Sequence, residues 1–287
     1  NLLLRNARLS GEVTSSHTSM PKVTIIIPVH NGAAFLPELL DSVIAQTEKG
    51  WNCICVNDGS TDDSLELLNR YADRDDRITV INQPNGGCGT ARNTAMQHVK
   101  TPLVTFADQD DLLHPQAFET ALAAIESAGV DCLCFGFSRF QAKPVIQPIT
   151  SRPTVVRANR NGTYLITGRR SSWPIFVWRH IFRTDAVRSI PFPPISGGED
   201  QAWMSELSWN NLTWASIDPV LYFNRERPNS QSRGVSRRYI DNVLASYRWI
   251  EERAKHYDID RKWLRRYIRH MRFMFMLSVA YRKLLRK

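Results

Sequence analysis

The chain has 287 residues, 43% hydrophobic and 23% charged, with a formal net charge of +9. That length can bury a large core, as one large or two small domains, and the apolar share is ordinary for a globular protein. Residues 261–287 carry ten Lys/Arg and no Asp/Glu, which leaves 27 basic against 28 acidic residues and a net of −1 in the other 260, so the high pI says little about the main domain.

Residues 1–20 end in Ser-Ser-His-Thr-Ser-Met before the first apolar run and are set aside as a flexible extension. Val23-Thr-Ile-Ile-Ile-Pro-Val29 is a nearly continuous β-branched run, suited to a strand covered on both faces, with Pro28 expected to end it. After a turn at His30-Asn-Gly32, residues Phe35, Leu36, Leu39, Leu40, Val43 and Ile44 recur at helical spacing. Cys53-Ile-Cys-Val56 predicts a second strand and Asn57-Asp-Gly-Ser-Thr61 a loop, with Ser60 or Thr61 expected to cap a helix bearing Leu65, Leu67, Leu68 and Tyr71. Ile78-Thr-Val-Ile81 predicts a third strand, Asn85-Gly-Gly-Cys-Gly-Thr90 a loop, Ala91 to Val99 a short helix, and Leu103-Val-Thr-Phe106 a fourth strand. Strands alternating with helices in this way imply right-handed βαβ units around a mostly parallel α/β sheet with helices on both faces.

Ligands of such sheets bind beyond the carboxyl ends of the strands. His30-Asn31, Asp58, Gly86-Gly87 and Asp108-Asp110 all follow strands directly and are expected on one rim. The last group belongs to Asp108-Gln-Asp-Asp111, three carboxylates just past a strand end. A hard divalent cation suits such a cluster, because Mg²⁺ takes one or two carboxylates together with substrate phosphates; the alternative is an acidic loop capping the helix that begins near Pro115.

Further on, Val130-Asp-Cys-Leu-Cys-Phe-Gly-Phe137 predicts a strand, and residues 141–170 a long loop or hairpin insertion. Ile175 to Phe182 is dense in aromatics, Gly197-Gly-Glu-Asp200 precedes a helix with Trp203, Met204 and Leu207, and Val220-Leu-Tyr-Phe223 predicts a last strand. Helices are expected from Tyr239 onward. The five cysteines form no Cys-x-x-Cys pair, which points to buried free thiols of a cytosolic protein rather than a disulfide framework or zinc site. No apolar run reaches the length of a membrane span.

Five motifs together carry a resemblance: Pro28-Val-His-Asn31, Val56-Asn-Asp-Gly-Ser-Thr-Asp62, Ala91-Arg-Asn93, Phe106-Ala-Asp-Gln-Asp-Asp111 and Gly198-Glu-Asp200. In this order the chain resembles the family 2 glycosyltransferases over residues 22 to 233. The resemblance implies the GT-A fold, with a nucleotide-binding half over 21–125, an acceptor-binding half over 126–233 and basic amphipathic helices over 234–287. It also implies inverting sugar transfer from a nucleotide-activated donor, a UDP-sugar in the first instance, with Mn²⁺ or Mg²⁺. By resemblance Asp58 meets the base, Asp108 the ribose or metal, Asp110 the metal, and Asp111 the sugar or its own loop. Pro28 and Asn31 fall in the first of these motifs; Gly87 is expected at the nucleotide sugar because the glycines at 86, 87 and 89 permit close backbone approach to a ligand, a plain loop from strand to helix being the alternative. His30 takes a position often held by tyrosine, where a ring packs on the base; otherwise it is an ordinary turn residue. Arg92 holds a phosphate or pairs with a local acid. Asp200 matches the family's catalytic base and Glu199 its neighbour, although either can also cap the helix it opens. Trp178, Arg179, Arg225 and Arg227 are expected near diphosphate or acceptor, with core packing the alternative for Trp178.

In the basic tail, Trp263, Leu264, Tyr267, Ile268, Met271, Met274 and Phe275 make an apolar stripe among arginines. It fits a helix lying on an anionic membrane surface or one packed on the catalytic domain. No nucleic-acid motif accompanies the charge, and no nucleic acid is expected as a partner. By resemblance to the family, the expected protein is an enzyme of surface polysaccharide synthesis that transfers sugar to a glycan or lipid-linked glycan, cytoplasmic and, where the tail lies on lipid, peripheral on the inner face of the cell membrane. Transfer to a polyprenyl phosphate and a non-catalytic sugar-nucleotide or glycan-binding module are the alternatives.

Overall fold

The computed structural model describes residues 20–157, 176–195, 197–227 and 236–284. The expected flexible extension (residues 1–19 of it), residues 158–170 of the long loop and residues 228–233 after the last strand lie outside the described residues. The strands are β1 (Val23–Val29), β2 (Trp51–Asp58), β3 (Ile78–Gln83), β4 (Leu103–Phe106), β5 (Leu112–Leu113), β6 (Cys132–Phe140), β7 (Val156–Arg157), β8 (His180–Arg183) and β9 (Trp214–Arg225). The helices are α1 (Leu36–Ile44), α2 (Ser64–Ala72), α3 (Cys88–Met96), α4 (Ala117–Ala128), α5 (Thr184–Val187), α6 (Glu199–Trp209), α7 (Arg237–Arg253) and α8 (Arg261–Leu284).

One sheet runs through both halves in the order β3-β2-β1-β4-β8-β6-β9-β5, with β7 also on β9. The first four strands are parallel, so β1, β2, β3 and β4 all end on the same rim. Beyond β4 the sheet is mixed: β8 is antiparallel to β4 and β6, whereas β6 and β9 run parallel. All seven residues of β1 are buried because both sheet faces are covered. Ile25 and Ile27 face a core shared with Leu39 of α1 and Ile125 of α4, while Ile26 faces one shared with Ala95 of α3 and Trp203 of α6. The period of two along the strand thus divides the two cores. Gly129, at φ 60°, ends α4 in the left-handed region that a glycine enters without strain.

Three local expectations change. Strand β1 runs one residue past Pro28, which still pairs with Val56. The ladder to β4 ends opposite Ile26, so the missing Pro28 N–H deprives no partner on that side. Helix α2 starts at Ser64 with Asp63 at its N-cap, and Ser60 and Thr61 instead bond Asn31. Strand β9 spans twelve residues across Pro219, where its ladder with β6 shifts register around Gly136; a proline is tolerated at such an irregularity. All five cysteines are free.

Helix α6 is held from two sides. Trp203 stacks on Phe192 at 4.3 Å, meets Phe106 and Phe182 edge-on, and donates from Nε1 to the Ile190 carbonyl at 2.7 Å. On its other side Ala202 packs with Val243, Tyr247, Leu264 and Ile268, joining α7 and α8 to the domain. Buried Glu206 pairs with Arg253 and accepts from the Tyr257 hydroxyl at 2.9 Å. Replacing Trp203 by Ala should cost about 3–5 kcal/mol of stability, the usual scale for an aromatic cavity, read as a lower urea midpoint at unchanged slope.

Candidate active site

The rim begins with the loops after β1 and β2. Asn31 adopts φ 51°, a left-handed conformation that asparagine tolerates better than most residues. Its side-chain oxygen accepts from Thr61 N at 2.7 Å and its N–H donates to Ser60 Oγ at 3.0 Å, stitching the two loops together. Asp58 is buried and accepts from the Gly86 and Gly87 amides, both at 2.8 Å, and from the Gln83 side chain at 2.8 Å. Two of these bonds shape the glycine loop, and the third ties Asp58 to the end of β3. Gly87, at φ 86°, is the residue that turns this loop into α3. His30 Nδ1 lies 2.8 Å from the Asp58 carbonyl and 2.9 Å from Asn85 Nδ2, which places the ring between the loops after β2 and β3. Pro28 lies buried at the base of this region.

The acidic loop is tied to these elements by Gln109. Its Oε1 accepts from His30 N at 2.7 Å and its Nε2 donates to His30 O at 3.0 Å. Asp111 is buried and accepts from the Tyr222 hydroxyl and the Arg225 amide, both at 2.7 Å, and from Asn224 Nδ2 at 3.1 Å. It orients the loop against β9, one of the two roles weighed for it. Burial, then the neighbouring Asp110 charge, raises its pKa to about 7 against these hydrogen bonds. Asp110 is largely covered and pairs with Arg227 at 2.5 Å, while its carbonyl accepts from Arg225 Nε at 2.8 Å.

At the centre stands Arg92. It is 1% exposed, and one of its Nη atoms reaches Asp108 at 3.0 Å while the other pairs with Asp200 and lies 3.5 Å from Glu199. This one guanidinium joins a carboxylate at the end of a parallel strand to the two carboxylates that open α6. Of the two roles open to Arg92, the structure displays pairing with local acids. Asp200 also accepts from the Val177 amide at 3.3 Å. Burial raises the Asp200 pKa to about 6, with Arg92 opposing and Glu199 reinforcing the rise. Asp108 is raised well above the usual carboxylate range by burial and, against Arg92, by Asp111, Asp200 and Asp110.

Trp178 is outside this cluster of charges. It is buried, stacked on Tyr222 at 4.6 Å and Phe176 at 4.9 Å. Arg179 donates to the Phe135 carbonyl at 3.2 Å and lies over Phe137. Both pack here, whereas Arg225 and Arg227 reach the acidic loop. Sequence reasoning passed over Gln109, Tyr222 and Asn224. Gln109 lies inside the acidic motif itself, and Tyr222 and Asn224 sit two apart on one face of β9, a spacing that carries both to the same neighbour.

Among the described residues, no three His, Cys, Asp or Glu side chains form a metal cage by themselves. Asp108 and Asp110 offer oxygen donors in a locally acidic loop, which fits a hard cation completing its shell with diphosphate oxygens.

The parallel β3-β2-β1-β4 half, the mixed second half and the acidic rim between them define the GT-A class of fold. Residues 24–186, more than half of the chain, match the profile described as Glycosyl transferase family 2, and the chain belongs to that family. It is 29% identical over 216 residues to the uncharacterized glycosyltransferase EpsJ of Bacillus subtilis (strain 168), a match that covers 74% of this chain and 63% of EpsJ. The chain thus spans less than two thirds of that relative's length. S. aureus TarS 1-349, solved in complex with UDP-GlcNAc, superposes with a TM-score of 0.69 at 22% identity, over 86% of this chain and 70% of that one. Mannosyltransferase PcManGT from Pyrobaculum calidifontis, solved with GDP-Man and Mn²⁺, superposes with a TM-score of 0.60 at 16% identity, over 92% and 74%. These structures share its fold.

Replacing Arg92 by Leu leaves three carboxylates without their buried cation. The loss should be about 3–5 kcal/mol at pH 7, the scale for breaking a buried pair from one side. It should shrink at pH 5. The folded Asp108 and Asp200 pKa values lie above their unfolded ones, so the folded state holds protons the unfolded state lacks, and stability falls as pH rises through about 6. Without Arg92 that dependence steepens, which urea denaturation at the two pH values measures.

Proposed function

We propose that the protein is a metal-dependent inverting glycosyltransferase. It moves a sugar from a nucleoside diphosphate donor, a UDP-sugar in the first instance, to a hydroxyl of a glycan or lipid-linked glycan in cell-surface polysaccharide synthesis. The observation that carries this reading is the convergence of Asp108 and Asp200 on Arg92. An inverting transfer needs a leaving-group site and a base on opposite faces of one sugar ring, and here the carboxylates suited to each role come from different halves and meet. TarS with UDP-GlcNAc and PcManGT with GDP-Man and Mn²⁺ support the donor class.

In this reading Pro28, His30, Asn31, Asp58 and Gly87 form the nucleoside pocket. Asp58 acts chiefly by fixing the Gly86-Gly87 amides, which allows the backbone to approach a ligand closely. Asp110 and Asp108 would hold Mn²⁺ or Mg²⁺, which neutralises charge on a departing diphosphate when bound. Asp200, with Glu199 beside it, takes the proton of the acceptor hydroxyl as its oxygen attacks the anomeric carbon. The bond to the diphosphate oxygen breaks on the opposite face and the nucleoside diphosphate leaves with the electron pair. A base with a pKa near 6 is ionised at neutral pH yet still basic enough to share a proton in the transition state. The proposed location is the cytoplasmic face of the cell membrane, reached without a spanning helix among the described residues.

Asp200→Asn tests the chemistry. Donor affinity by calorimetry should be nearly unchanged while transfer to acceptor falls by roughly 10²-fold or more, mainly in kcat. Near-normal transfer by the folded variant would remove Asp200 from the base role. Retained donor binding with no turnover by the unaltered protein on any hydroxyl acceptor would favour a binding module.

Arg227 generates a second test, because its guanidinium pairs with the proposed metal ligand Asp110. The pair is partly exposed and so weak enough to exchange. In Arg227→Gln, Mn²⁺ binding to the nucleotide-free protein should tighten by about two- to fivefold. Binding of the nucleoside diphosphate with Mn²⁺ present should weaken by about tenfold, the scale of a charge-assisted hydrogen bond. Shifts of the same sign in both titrations would refute the exchange.

A further inference from the structure

Helix α8 has two apolar faces, and the domain uses one of them. Leu264, Ile268 and Val279 are buried, with Trp263, Tyr267, Met271 and Phe275 packed partly against the same cluster on α7. Most of the stripe seen in the sequence is therefore consumed by packing. The opposite side is exposed. Positions 266, 269, 270, 273 and 277 recur every three or four residues, as one face of a helix requires. The first three are Arg266, Arg269 and His270; beyond them come Phe273 at 64% exposure, Leu277 at 53% and Tyr281 at 62%. The outer face is thus basic along its first half and apolar along its second. Arg266, Arg269, His270 and Phe273 line a shallow depression of ≈ 320 Å³ at the junction.

We propose that this outer face of α8, and not the stripe legible in the sequence, is the surface that docks on an anionic lipid bilayer. Two features of the face have to be met together. No acidic residue occurs between Arg261 and Lys287, so the partner must supply negative charge. The row Phe273, Leu277 and Tyr281 needs an apolar phase beside that charge. A nucleic acid meets the first requirement without the second, and an uncharged apolar protein surface meets the second without the first. An anionic bilayer presents phosphates above acyl chains, and a helix lying in that interface buries its apolar side about 5–10 Å into the headgroup–acyl boundary. Guanidinium groups at Arg266 and Arg269 suit phosphate oxygens. No described helix is long and apolar enough to cross the bilayer, so the contact is with its surface. The inference rests on the proposed membrane location and is independent of the donor chemistry.

The test is co-sedimentation of the whole chain with phosphatidylglycerol–phosphatidylcholine vesicles and with phosphatidylcholine alone. The unaltered protein should bind the anionic vesicles and release as salt rises. Arg266→Glu with Arg269→Glu, and separately Phe273→Ser with Leu277→Ser, should each weaken that binding by about tenfold or more, since each basic residue near an anionic surface contributes about 1 kcal/mol. Nucleotide affinity and thermal midpoint should stay unchanged, because none of the four side chains is buried. Binding that survives both pairs of substitutions overturns the assignment of the face while keeping the membrane location. No vesicle binding by the unaltered protein overturns both, as does self-association or RNA binding that replaces vesicle binding and is abolished by the same substitutions. Neither result would touch the transferase reading, which the Asp200 variant tests alone.

Discussion

A buried guanidinium that cannot give up its proton dictates the arrangement of the rim. Arginine stays charged at any ordinary pH, so Arg92 at 1% exposure has to be surrounded by anions. Three carboxylates supply them, and burial would push two of these, Asp108 and Asp200, toward neutrality without that cation. Each side of the cluster makes the other tolerable. Because Arg92 lies on α3, Asp108 follows β4 and Asp200 opens α6, the ion cluster also sets where the two halves of the chain meet. The aromatic layer beneath it, Phe106, Phe192 and Trp203, excludes water and lies against the guanidinium. Loss of the cation would therefore be felt in the packing as much as in the charge.

The acidic rim carries two kinds of counter-ion. Arg92 is enclosed and bonded to three acids, so its exchange would strand them. Arg227 is 33% exposed and pairs with Asp110 alone among the described acids of the rim. Arg225 lies between these extremes, with its Nε on the Asp110 carbonyl and another nitrogen 3.0 Å from Glu38. The side chain closest to a proposed metal ligand is thus the one whose departure costs least. Aromatic support from Phe35, whose ring lies 4.8 Å from the Arg227 guanidinium, gives that side chain a resting place that needs no further anion.

The legible parts of the fold and site were those set by local pattern. Strand β1 announced itself through a nearly continuous β-branched run, all of it buried in the structure, and the parallel order of β1 to β4 followed from strands alternating with helices. His30, Asp58, Gly87 and Asp108 then fell on one rim because each follows its own strand. What stayed hidden depends on partners far along the chain. Asp111 is satisfied by Tyr222, Asn224 and Arg225, more than a hundred residues away, and no periodicity reports such a pairing. Gln109 bonds both polar groups of the His30 backbone, which a motif read as a list of carboxylates overlooks. The tail shows a third kind of limit. Helical spacing located an apolar stripe correctly, but it could not tell which apolar face the domain would cover, since Leu277 and Leu264 are the same residue type on opposite sides.

The C-terminal helices bear on the site through α6. Gly198 sits at φ 82°, and a β-carbon placed there would come within 2.7 Å of the Ser246 hydroxyl on α7. Only glycine permits that approach, and it brings α7 against the turn that presents Glu199 and Asp200. Along the same helix Glu206, buried, fastens Arg253 and Tyr257 at the far end of α7. Helix α6 is therefore gripped at both ends by the element on which α8 packs through Leu264 and Ile268. A continuous path of packed side chains runs from the outer helix to the turn that presents the proposed base. If the outer face rests on a bilayer, the same path fixes the height and tilt of the acidic rim above it, so an acceptor anchored in lipid would meet Asp200 from a constant direction. That constancy favours an acceptor attached to the membrane over one diffusing freely, because orientation supplied by the surface does not have to be supplied again by contacts within the site.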